Sequence, residues 1–227
     1  MTTIRLRDDR AYEATALAGV GGFLDAYTFL SHGGVFANAQ TGNIVLFGIF
    51  AGQGEWSEAA RRVPPLVAFL VGMVTVEALA RLRQRPPFHR PTRIVLLVEC
   101  VVFLAVGLLP SATPDWVGAV AIAWAATLQV GTFRQVRHTQ YNTTFTTGNL
   151  RSLVSLSAAW LADHDEEAGR RARVLQLIVG AFVVGAVVGG LATHQLHDHA
   201  VLLVVPVLLV VLASIVRDTR ATERPAA

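Results

Sequence analysis

"ANAQTGNIVLFG" (residues 37–48) begins polar and turns apolar at Thr41-Gly42-Asn43, and "YNTTFTTGNLRSLVSLSAAW" (residues 141–160) repeats the move at Thr147-Gly148-Asn149. Polar residues opening an apolar helix are ordinarily surface caps. The rest of the chain makes that reading insufficient. Only 15% of its 227 residues are charged and 53% are hydrophobic, against about 25% charged in an ordinary soluble domain. Mean hydropathy is +0.49. Such a chain cannot cover a soluble surface, so its solvent is expected to be the lipid bilayer.

Working outward from the two triplets, eight apolar segments stand out, at about 12–31, 41–52, 63–80, 94–110, 115–133, 147–162, 174–192 and 199–216. A bilayer crossing takes about 20 helical residues. The second segment is too short, and the sixth carries Arg151, a charge that lipid does not tolerate at depth. If these two enter and leave on one side, six helices cross. The amino terminus, the loop with Arg81, Arg83, Arg85, Arg90 and Arg93, the Arg170-Arg171-Arg173 cluster and the tail then share one face. The loops "PSATPDW" and "THQLHDH" on the other face hold no arginine. The positive-inside rule favours this arrangement, with both termini cytoplasmic. The amino-terminal head has mixed charge and reads as the approach to a retained helix rather than a secretory signal. The pI near 9.7 reflects these membrane-flanking arginines, so no nucleic-acid partner is expected. The single cysteine, Cys100, excludes a disulfide framework within the chain.

The triplets are part of a longer repeat. "AFLVG" (68–72) returns as "AFVVG" (181–185), and the pairs Arg61-Arg62 and Arg170-Arg171 fall between the matches in each half. The halves are 12–110 and 115–217. Three crossings in each make the second half run upside down, the inverted repeat of many transporters, whose interrupted helices meet near the midplane. In that arrangement Thr41 and Thr147 cap half-helices with glycine easing the entry. Their amino ends would form a polar, anion-friendly spot. The expected fold is therefore all-α and integral to the membrane: six transmembrane helices plus two re-entrant half-helices.

"GGFLDAYTFLSHGGVFANAQTGN" and "YNTTFTTGNLRS" resemble the two signatures of the YoaK-like membrane proteins, the family called domain of unknown function 1275. The resemblance runs from about Ala14 to Val216. It implies a six-helix protein of the bacterial inner membrane and no particular chemistry. Family members often carry Gln-Asn on the fifth segment where this chain has Gln129-Val130, so no role for that Asn carries over.

The candidate substrate-binding residues are Asp25, Asn38, Gln40, Thr41, Gly42 and Asn43 in the first half, and Asn142, Thr143, Thr144, Thr147, Gly148, Asn149 and Arg151 in the second. Asp25 is an intramembrane carboxylate, a functional candidate by position, which could carry a proton or pair with Arg151. Arg151 could hold an anionic group beside a helix start. Glu99 and Glu77 fall near arginines and are expected to form salt bridges or snorkel to the interface. His194, His197 and His199 invite a metal reading, but a solvated loop is the expectation. Gly185 and Gly189 suit close helix packing, within one chain or between copies as a homo-oligomer. No nucleophile–base pair, phosphate loop or nucleotide fingerprint is present, so neither catalysis nor a cofactor is expected. The resulting reading is a transporter or channel for a small polar solute or anion. The alternatives are a membrane-embedded enzyme using Asp25, His138 or the histidine loop, and a non-transporting assembly protein.

Overall fold

A computed structural model describes residues 11–82, 90–110, 112–133, 135–136, 139–140 and 146–223. The fold is all-α. Its helices are α1 (Ala11–Ser31), α2 (Gln40–Gly52), α3 (Trp56–Ala60), α4 (Val63–Leu82), α5 (Pro91–Gly107), α6 (Asp115–Thr132), α7 (Thr146–Asp163), α8 (Glu166–Leu196) and α9 (Val204–Glu223). A 3-10 segment, His197–Leu203, joins α8 to α9. A two-residue ladder pairs Gln135–Val136 with Thr139–Gln140.

Each apolar segment of the sequence falls on helix, and the ends have local causes. Pro64 and Pro65 sit in the first turn of α4, and Pro91 opens α5, where a missing N–H costs nothing. α8 starts well before its apolar stretch because Asp165 caps it, accepting the amides of Glu167 at 2.9 Å and Ala168 at 3.0 Å. Two helical stretches, Trp56–Leu82 and Glu166–Asp218, are long and apolar enough to cross a bilayer. Their outward faces carry Leu70, Val71 and Val74 on α4, and Val183, Val184, Val187 and Val188 on α8, all exposed. Apolar rows of this size facing outward, over an interior that buries Asp25, Asn38, Asn43 and Glu99, are the pattern of a protein associated with a membrane.

α1 is the central helix. Leu17, Leu24 and Tyr27 are fully or almost fully buried, and the helix packs against α6, α8, α9 and the 3-10 segment. Its contact with α8 is the most extensive in the molecule, and that of α4 with α6 comes next. Both are close because glycines remove side chains at the crossing. A Cβ on Gly22 would strike the Phe182 carbonyl, and one on Gly185 would strike the Gly19 carbonyl. A Cβ on Gly189 would come within 2.7 Å of the Phe23 oxygen. In the other crossing, a Cβ on Gly72 would lie 2.7 Å from Thr127 Cβ. The glycine of each AFxVG motif thus admits the leading helix of the other half. The tight packing that the Gly-rich stretch suits is made inside the chain, against α1.

Gly22→Ala is expected to destabilise the fold by about 1–3 kcal/mol, the usual cost of overpacking a tight contact. Gly190 has open space around it, so Gly190→Ala is expected to do the reverse by about 0.5–1 kcal/mol. Thermal unfolding of the two purified variants in detergent checks the opposite signs.

Candidate functional site

After α1 ends at Ser31, Gly33 and Gly34 turn the chain at φ of 74° and 70°, a left-handed geometry that favours glycine. Residues 35–39 then run back along α1. Asn38 reaches the Gly21 carbonyl with its side-chain amide at 3.2 Å. Gly21 is the central residue of α1, so this polar segment lies level with the middle of the helix. There the backbone amide of Asn38 donates to Asp25 Oδ1 at 2.7 Å, and the amides of Ala37 and Ala39 face the same carboxylate. Asp25, Asn38, Gln40 and Asn43 are all buried.

A buried peptide group without a partner is expensive, and here side chains supply the partners. The Ala37 amide donates to Thr28 Oγ1 at 3.1 Å, and the Gln40 side chain donates to the Ala37 carbonyl at 2.8 Å. Asn43 brackets Phe36. Its Oδ1 accepts the Phe36 amide and its Nδ2 donates to the Phe36 carbonyl, both at 2.8 Å. Asn43 Nδ2 also donates to Gln40 Oε1 at 3.0 Å. Gly42 leaves room for the Phe36 ring, which would come within 2.9 Å of a Cβ there. Thr41 faces outward. It is not the helix cap, because α2 starts at Gln40 and its N-cap, Ala39, offers no side-chain hydrogen bond.

α2 then leads to a short turn and α3. Arg62 stacks over the Phe50 ring at 4.4 Å and bonds Glu58 at 2.9 Å. Its guanidinium would also lie 3.2 Å from a Cβ on Gly34. The carboxyl end of α2 is therefore beside the carboxyl end of α1. The same end of the bundle gathers Tyr27, whose hydroxyl donates to the Asp198 carbonyl at 2.8 Å, and His32, whose Nε2 meets that hydroxyl at 3.2 Å. With its own proton given to Asp198, the tyrosine oxygen accepts from His32, which fixes the imidazole proton on Nε2. Burial pushes the His32 pKa below its usual value, against the opposing pull of Asp198 and Asp115. His32, Arg61, Asp115 and Trp116 contribute to the walls of a cavity of about 220 Å³ at this end.

The second triplet is built differently. Asn149 is buried, Gly148 has open space around it and Arg151 is exposed. The start of α7, with Thr147, is helical. Asn142, Thr143, Thr144 and His138 lie outside the described residues. Trp160 packs on Gly169 across the turn into α8. Continuing that antiparallel register brings 146–149 level with 180–183 of α8, the stretch that crosses α1 at Gly22. Both polar helix starts are thus level with the middle of α1. They are not in contact on the scale of the helix pairs: α2 lies on α3 and α4, and α7 lies on α8.

The first half therefore brings Asp25, Asn38, Gln40 and Asn43 into one polar knot. Arg151 is not part of it. Among the described residues no hydrogen bond or ion pair joins Arg151 to Asp25, whose carboxylate is turned to the loop amides. Glu77 bonds Arg81 at 3.3 Å, as its position beside the arginines implies. Glu99 does not snorkel; it is fully buried. The histidines of "HQLHDH" do not converge: His199 Nδ1 contacts the Gly107 carbonyl at 2.7 Å, and among the described residues no three His, Cys, Asp or Glu side chains form a metal-sized group. Thr28, Tyr27 and His32 were not among the expected site residues. Their signal is the spacing of Asp25, Thr28 and His32, which sets three polar groups along one side of the end of α1.

Asn43→Ala strips Phe36 of both partners and is expected to cost on the order of 3 kcal/mol, while Thr41→Ala, on the exposed side, stays within about 0.5 kcal/mol. Melting curves of the two variants, measured side by side, test this division of labour within the triplet.

A model of the family described as protein of unknown function (DUF1275) matches residues 14–215. No curated protein and no solved structure matches the chain.

Proposed function

The chain belongs to the DUF1275 family, and we propose that it is a small multi-pass transporter or channel of the bacterial inner membrane, built as two inverted repeats. Six helices cross in this reading, α2 and the first part of α7 are re-entrant, and both termini are cytoplasmic. The observation that carries it is the polar knot level with the middle of α1. Backbone that is not helical is tolerated at membrane depth only where protein or a cavity surrounds it. Such broken segments are where transporters bind their solutes. Two further observations support the reading. The carboxyl end of α2 returns to the end of the bundle that it left, through Phe50, Arg62 and Gly34. The dominant helix contacts also exchange between halves, α1 with α8 and α6 with α4, as a two-fold repeat requires.

The solute is a small polar molecule. The positive end of α2 already faces the carboxylate of Asp25, which leaves no call there for a second anion. The start of α7 has no acidic residue in its first turn and has Arg151 nearby, so an anionic group would be received in the second half. Asp25 acts as a latch. The Asn38 amide donates to a carboxyl oxygen of Asp25 at 2.7 Å, and solute passage requires the loop to leave it.

Asp25→Asn keeps one acceptor oxygen and replaces the other with an amide nitrogen that cannot accept from the loop amides, weakening the latch by about 1 kcal/mol, which raises the open population about fivefold. Proteoliposomes carrying the wild-type chain are expected to admit at least one of formate, acetate, glycine and urea faster than empty liposomes in stopped-flow light scattering. Asp25→Asn should multiply that rate about fivefold. Rates equal to those of empty liposomes for small anions and neutral solutes alike would contradict the transport reading.

A further inference from the structure

Glu99 is the central residue of α5. It is 0% exposed, and neither carboxylate oxygen has a hydrogen-bond partner. No salt bridge reaches it among the described residues. It belongs to the stretch of α5 that also buries Val95, Leu96, Cys100 and Phe103 in the main apolar core, and α6, α9 and the 3-10 segment pack against the helix. The other buried carboxylates of helix interiors are treated differently: Asp25 receives the Asn38 amide at 2.7 Å, and Glu13 receives the Ser214 hydroxyl at 3.0 Å.

An ionised carboxylate with both oxygens bare in an apolar core is too costly to persist. Something must neutralise it. The described ionisable groups on the elements packed against α5 lie toward their ends. Asp115 opens α6. His197, Asp198 and His199 belong to the 3-10 segment, at the Gly107 end of α5. Arg217 and Asp218 fall in the last turns of α9. None is bonded to Glu99. On α5 itself the adjacent ionisable side chain is the Cys100 thiol, which is neutral in kind and cannot compensate a charge. A hard metal cation needs several oxygens around it, and no three His, Cys, Asp or Glu side chains gather to hold one among the described residues. A proton needs no further ligand. We propose that Glu99 is a proton-binding site in the interior of the bundle, occupied as the neutral acid while α5, α6 and α9 are packed and emptied when that packing opens to water.

The test uses the full chain reconstituted in liposomes. Infrared difference spectra of wild type against Glu99→Gln are expected to show the carbonyl stretch of a protonated carboxyl that the variant lacks, displaced in heavy water. A carboxylate band in its place overturns the proposal, and so does an acid band that emerges only when sodium and other metal ions are removed. Should Glu99→Gln fail to fold, a hydrophobic carbodiimide applied to the wild-type protein replaces it. This reagent adds the protonated acid across its C=N bond, the acid proton passing to nitrogen. Modification mapped to the Glu99 peptide that declines as pH is raised supports the site. Modification of other carboxyls with Glu99 left untouched at every pH overturns it. Both readouts are independent of whether the protein transports anything.

Discussion

The bond from the Asn38 amide to Asp25, about one turn past the middle of the central helix, is the contact on which the first half depends. A chain that leaves α1 and runs back along it must bury peptide groups, and a buried peptide group needs a partner. Side chains partner the peptide groups at the centre of that stretch: Phe36 has Asn43, Ala37 has Thr28 and Gln40, and the Asn38 amide has Asp25. These bonds interlock, so losing one of them strands a buried donor or acceptor, while the Asn38 side-chain oxygen is itself buried without a hydrogen-bond partner among the described residues. This explains why a very apolar chain spends Asp, Asn, Gln and Thr within so short a span. They hold an irregular segment inside the bundle.

The second constraint is steric. α1 can occupy the centre only because α8 comes to it at backbone distance, through Gly19, Gly22, Gly185 and Gly189. In lipid there is little hydrophobic gain from bringing two apolar helices together, and close packing of small residues takes its place. The corresponding crossing of α4 and α6 uses Gly72 and Gly131, the latter against Val76. Each half thereby grips the other, and the polar knot is built onto the helix at the heart of that grip.

The apolar segments, the two triplets and the AFxVG glycines were all legible, because helix length, polar breaks and small-residue spacing are local properties. The partners were not. Thr41 looks like a cap and Asn43 like a group free for a ligand. The reverse assignment arises because residues 33–39 fold back, which brings Asn43 against Phe36, and that return depends on two glycines with positive φ. The pairing of Asp25 with Arg151 was reasonable by charge alone. The loop amides reach Asp25 instead, and Arg151 points outward. Glu99 illustrates a different limit. α5 is apolar nearly all round, so periodicity does not say which side faces protein, and a carboxylate near arginines reads as a snorkelling one until the rotation of the helix is known.

The claim most open to direct test is that α2 returns to the end of the bundle where α1 finishes. Gln53 follows α2 and Ala112 precedes α6, and both are exposed. With Cys100 replaced by alanine, single cysteines at these two positions can be labelled in sealed vesicles by a membrane-impermeant maleimide. Labelling of both from the same side of the membrane is the predicted result. Labelling from opposite sides would mean that α2 crosses, and the account of a polar loop held at depth by Asp25 would fail.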